Sequence, residues 1–174
     1  MNLIETFQDW VAQVPELVQP LIVALAGAIP FIEGEGAATI GILGGIPPVV
    51  AAIAAIIGNF LCVAVLVLLS SGARQAVVTR HRSRVAENAG GTAVDTLPAP
   101  TSTRSQKFQR AFERYGVPGV SLLGPLLLPT QFTATMLAAA GVNKARILIW
   151  QGVAIVLWTT VFTLIVSGVI YAVR

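Results

Sequence analysis

The sequence predicts an all-α integral membrane protein built from two inverted repeats. Three observations carry that prediction. Of the 174 residues, 55% are hydrophobic and only 11% charged, and the mean hydropathy is +0.80; this is the composition of a membrane chain, with one domain expected from its length. Two runs, 49–69 and 147–173, are apolar and long enough to cross a bilayer, which takes about 20 residues. Two further apolar regions, 17–45 and 117–142, are interrupted by proline and are predicted as hairpins of half-length helices.

Residues 2–13 place Leu3, Ile4, Phe7, Trp10 and Val11 at helical spacing. They predict a short amphipathic helix in the membrane interface, with Trp10 as an anchor. Ala26-Gly27-Ala28 mimics a signal-peptidase site, but the flank carries Glu5, Asp9 and Glu16 and no basic residue, so the segment is read as structure.

In region 17–45, Pro30, Gly34, Gly36 and Gly41 argue against an unbroken helix. Each half, about 12 residues, is too short to cross alone. The prediction is a re-entrant hairpin, with a kinked single span as the alternative. Broken backbone at membrane depth must be buried in protein or line a wet cavity, as in the discontinuous helices of transporters. Glu33 and Glu35 lie in this stretch. A carboxylate at membrane depth marks a functional site by default; the plainer alternative is a loop at the membrane surface.

The turn at 44–48 puts Pro47 or Pro48 in the first turn of a span over 47–71. Asn59 is the strongly polar residue of that span, suited to a hydrogen bond across a helix contact or to the Glu-bearing loop. Cys62 reads as a small packed hydrophobe, and one cysteine allows no intrachain disulfide. Residues 72–105 have the composition of a disordered cytoplasmic linker. Its Arg74, Arg80, Arg82 and Arg84 point to anionic lipid of the inner leaflet rather than to nucleic acid, and His81 reads as solvated. From 106 a basic amphipathic helix is expected, with Phe108, Ala111, Phe112 and Tyr115 on one face and Arg110 and Arg114 forming an inner basic rim. Pro125 and Pro129 divide the hairpin 117–142, and the span 147–173 closes the chain.

Eight of the eleven Lys and Arg residues lie between Arg74 and Arg114, Lys144 and Arg146 sit in one junction, and the first 73 residues hold none. The positive-inside rule therefore predicts a multi-pass protein of the plasma (inner) membrane with 74–114 and 143–146 cytoplasmic and both termini outside. A shift of 96 residues brings the halves 1–71 and 106–174 into register. Gly45 meets Gly141, Thr39 meets Thr135, Glu33 meets Pro129 and Glu35 meets Gln131. One full span per half inverts the second half, so the hairpin tips should meet near mid-membrane, with Glu35 facing Gln131.

Pro30-x-x-Glu33-x-x-Gly36-Ala37-x-x-x-Gly41, followed by Gly45 and Gly58-Asn59, resembles the first half of the small multidrug export protein family. Arg114-Tyr115-Gly116-Val117-x-Gly119, then Pro125 and Pro129, resembles its second half. The resemblance covers about residues 20–170 and implies the paired re-entrant loops of the wider DedA-like membrane proteins, which are implicated in lipid-carrier translocation. Three departures stand out. Glu35 occupies the place of the family's Arg, Thr39 that of its Pro, and Thr130-Gln131 that of its Gly-Thr. Without that Arg, Glu33 lacks the family's counter-charge.

Two carboxylates at i, i+2 are suited to proton coupling. A half-helix starting after Gly36 would instead offer N–H groups to an anion such as a lipid phosphate. No His/Cys metal set or Walker loop is present, and Ser70, Ser71 and Ser121 have no histidine in plausible reach, so neither a cofactor nor an enzyme is expected. The expectation is a small proton-linked transporter of an amphiphilic or lipid-type substrate, with its site at Glu33, Glu35, Gly36, Thr39, Asn59, Pro129, Thr130 and Gln131. The alternative is a non-transporting membrane subunit docked to a larger complex; a homo-oligomer is compatible with either.

Overall fold

The computed structural model describes residues 3–88 and 115–173, and their regular structure is entirely helical. The first half contains α1 (Leu3–Gln13), α2 (Gln19–Gly27), α3 (Glu33–Leu43) and α4 (Pro48–Asn88). The second contains α5 (residues 115–123), a 3-10 turn (Gly124–Leu126), α6 (Thr130–Ala139) and α7 (Lys144–Val173). Two helices, α4 over Pro48–Gln75 and α7, are long and apolar enough to cross a membrane.

α1 forms where the amphipathic pattern predicts it. Phe7 is buried and stacks edge-on with the exposed Trp10, ring centroids 5.2 Å apart. The break after α2 is carried by proline. Ala28–Ile32 is non-helical, and Phe31 follows Pro30 with φ +73°, a left-handed value that costs energy for a bulky residue. The glycines were expected to share in this break. They do not: Gly34, Gly36 and Gly41 all lie inside α3. Close packing explains two of them. A Cβ on Gly34 would stand 2.1 Å from Thr159 Oγ1, and one on Gly41 would stand 2.9 Å from both Ala51 and Val23. The helix accepts a glycine cost of about 1 kcal/mol each in exchange for that approach.

The register of 96 residues reappears in the backbone. α3 ends with Gly45 at φ +91° and the Ile46 N–H donating to Gly41 O. α6 ends with Gly141 at φ +84° and the Val142 N–H donating to Leu137 O. Both are left-handed glycine caps of the Schellman type, and each directs the chain into a long helix.

The predicted linker 72–105 begins too early. α4 stays helical to Asn88, because after Gly72 the sequence runs in Ala, Arg, Gln, Val, Glu and other helix-compatible residues with no further Gly or Pro until Gly90. Extending a helix already nucleated by 24 residues is far easier than starting one. The rest of that linker, and most of the predicted helix 106–115 with Arg110 and Arg114, lie outside the described residues.

α4 organises the packing. α2 lies against its first half, where the helix backbones nearly touch: a Cβ on Gly58 would fall 1.8 Å from Ala24 O, and one on Gly27 would fall 2.7 Å from Ala55 O. α3 ends one tight turn before α4 begins. α6 ends beside Arg74, whose Nε donates to Ala139 O at 3.1 Å. The starts of α3 and α6 meet at Asn59, midway along the apolar stretch of α4. So α3 and α6 run from a shared point toward opposite ends of α4. Their 11 and 10 residues make them about 16 and 15 Å long, against about 42 Å for Pro48–Gln75.

Two apolar clusters flank the meeting point. Phe7, Val23, Ala26, Ala37, Ala38 and Ala55 belong to one; Val63, Val67, Val120, Leu137, Ile147 and Ile155 belong to the other. The outer faces of α4 and α7 are apolar yet exposed, with Ile53, Ile57, Leu61, Val153, Val156 and Leu164 between 46% and 67% exposed.

Candidate functional site

Between the two clusters lies a layer of buried polar residues. Glu33 comes from the start of α3, Asn59 from the middle of α4, and Thr130 and Gln131 from the first turn of α6; each is at most 6% exposed. The layer arises from a local problem. The first N–H groups of α6 have no intrahelical partner, and the residue before it, Pro129, provides no side-chain cap. Glu33, 97 residues earlier, supplies the acceptor: its Oε1 takes the Thr130 N–H, with Thr130 Oγ1 at 3.0 Å. A carboxylate there also faces the positive end of the α6 dipole.

Asn59 joins the pair to its neighbour. Gln131 Nε2 donates to Asn59 Oδ1 at 3.1 Å, and Thr130 Oγ1 lies 3.2 Å from the same oxygen. The threonine hydroxyl has one proton, so it donates to Glu33 or to Asn59, not to both. Asn59 Nδ2 is buried without a hydrogen-bond partner. Glu33 itself holds a left-handed φ of +53°. Strain at two of three successive residues, Phe31 and Glu33, is the kind of feature that persists where surrounding contacts over-determine it. Phe31 has such a contact in Phe132 of α6, ring centroids 6.2 Å apart.

The expected pairing of Glu35 with Gln131 is not the one found. Glu33 holds Thr130, and Gln131 holds Asn59. α3 begins at Glu33, which puts that residue at the tip; two residues further along, at about 100° each, turn Glu35 well away from it. The anion site expected after Gly36 also fails to form. Gly36 is inside the helix and its N–H donates to Ile32 O at 2.9 Å.

Glu35 faces a groove of about 490 Å³ beside α3. Glu33, Gly36, Thr39 and Pro129 line it too, so the eight predicted site residues divide into two adjoining groups. Thr39 Oγ1 donates to its own helix, at Glu35 O, 2.8 Å away. The remaining walls are apolar: Leu126–Leu128 from the second hairpin, Phe31 from the first, and Trp158 and Phe162 from α7.

Sequence reasoning missed the α7 wall. Thr159 is fully buried against Gly34, and Trp158 Nε1 donates to Leu122 O at 2.8 Å, tying α7 to α5. Gln151, Thr159 and Thr163, spaced by eight and four in a mostly apolar span and all buried, are the available signal of an inward face. The resemblance to small multidrug export proteins rests on the sequence motifs. No family model, no curated protein and no solved structure matches this chain.

Proposed function

We propose that this chain is a small membrane transporter, proton-linked, which moves an amphiphilic or lipid-type substrate through a site between two re-entrant hairpins. One observation carries the reading: a buried carboxylate sits where two half-length helices meet at the middle of a spanning-length helix, beside a groove. Glu33 caps α6, a task that an uncharged glutamine could also serve; an ionisable group at that place is what favours a transporter over a scaffold. The apolar outer faces of α4 and α7 are suited to lipid.

On this reading the hairpin α2–α3 enters from one membrane face and α5–α6 from the other. The repeats are then inverted, as the basic residues near Arg74 and Lys144 require if they share the cytoplasmic side. Glu33 is the proton carrier. Protonation removes its charge from the α6 N-terminus and so weakens the contact between the two hairpin tips. That contact is the element a proton and a substrate would both bias.

The test is flux of amphiphilic probes into liposomes containing the purified protein, measured from about pH 5.5 to 8. Glu33→Gln keeps an oxygen acceptor for Thr130 but cannot titrate; it is expected to fold and to lose the pH dependence of flux. If Glu33→Gln, Glu35→Gln and the double variant all match wild type at every pH, the transporter reading falls.

A further inference from the structure

The two carboxylates of the tip have different tasks, and the difference points to the charge of the ligand. Glu33 is committed to the α6 N-terminus through Thr130. Glu35 is not. It stands in the groove wall and is partly exposed. We propose that the groove binds an amphiphilic organic cation, with its charged head at Glu35 and its apolar body against Leu126–Leu128 and Phe162. The inference rests on the groove being the substrate path proposed above.

Charge complementarity commits the groove to that ligand. Among the described residues its walls contain two glutamates and no Lys, Arg or His. The natural anion site nearby, the N-terminus of α6, is already filled by Glu33. The Gly36 N–H is spent within α3, and the Thr39 hydroxyl donates to Glu35 O. A phosphate or carboxylate head would therefore meet two like charges and no free donor. A cation meets the Glu35 carboxylate and the accepting lone pairs of Thr39, with the aromatic side chains of Phe31, Trp158 and Phe162 in the same walls. The remaining wall is leucine, and about 490 Å³ is within the range of small-molecule sites.

Equilibrium dialysis tests the assignment, using the full chain in phosphatidylcholine nanodiscs with empty discs as the blank. The probes are hexyltrimethylammonium and hexyl phosphate, which share one tail. The expected result is retention of the ammonium above the blank, no excess of the phosphate, and at least tenfold weaker ammonium binding by Glu35→Gln. Phe162→Ala, in the α7 wall and 40% exposed, is expected to weaken it several-fold. Equal retention of both probes, preference for the phosphate, no retention of the ammonium, or wild-type binding by Glu35→Gln overturns the proposal. The wild-type comparison needs no variant to fold. Binding is read with no gradient, so ammonium bound by a protein that supports no pH-dependent flux would remove the transporter reading and leave the cation site in place.

Discussion

The hairpin α2–α3 and the hairpin α5–α6 end in the same way and begin differently. Both close on a left-handed glycine, Gly45 or Gly141, with matching hydrogen bonds. At the tips the chemistry diverges. The first tip is strained at Phe31 and Glu33 and carries two carboxylates. The second is Pro129-Thr130-Gln131, uncharged, and its helix depends on Glu33 for its cap. The turns that leave α3 and α6 thus share their geometry, while the starts of the two helices differ where they touch. The first hairpin supplies the carboxylate, and the second supplies the donors that hold it.

The same asymmetry runs into the long helices, and it gives the largest expected effect. Gly58 of α4 allows α2 to approach, whereas its counterpart in α7, 96 residues on, is Ala154. Gly58→Ala should cost about 3 kcal/mol or prevent folding, because the added Cβ meets backbone that cannot rotate away. Ala154→Gly should cost about 2 kcal/mol, the helix-propensity difference plus the loss of one buried methyl. Unfolding in mild detergent would rank the two. Equal losses would mean that the halves pack alike.

Next comes the shared cap. Glu33→Ala leaves the buried Thr130 N–H without an acceptor and should cost about 2 kcal/mol. Glu33→Gln, which keeps an oxygen there, should cost about half as much. If both variants unfold like wild type, the tips do not depend on each other. The smallest effect belongs to the far end of α6, where Arg74 covers Ala139 O at an exposed position. Arg74→Ala should cost about 0.5 kcal/mol, the low end for a solvent-accessible hydrogen bond.

How much of this was legible depends on the range of the signal. Breaks caused by proline are local, and Pro30, Pro125 and Pro129 fall where the helices stop. Spans are set by length and hydropathy, and both were readable. Glycine was misread at 34 and 41 because its role there depends on Thr159, Val23 and Ala51, which are remote in sequence or on another helix. The helical stretch 72–88 was missed because composition suggested a linker, while an already formed helix continues through such residues at little cost. The polar residues Glu33, Asn59, Thr130 and Gln131 stand out in the apolar sequence and the structure brings them together, but their pairing is not legible there. Register along α3 decides which carboxylate faces the second hairpin, and register follows from where Pro30 lets the helix begin.

The central claim is that the tips meet deep in the membrane rather than at its surface, and Phe31 reports on it most directly. It sits at the first tip, 80% exposed, so Phe31→Cys can carry a spin label without disturbing the core. The protein would be placed in lipid bilayers in a Cys62→Ala background, and collisions with dissolved oxygen compared with collisions with a water-soluble nickel chelate. Oxygen concentrates at the bilayer centre and the chelate stays in water. A tip near the midplane gives frequent collisions with oxygen and few with the chelate. A label at Phe31 that meets the chelate as often as one at the exposed Glu16 would place the tip at the surface and contradict the account.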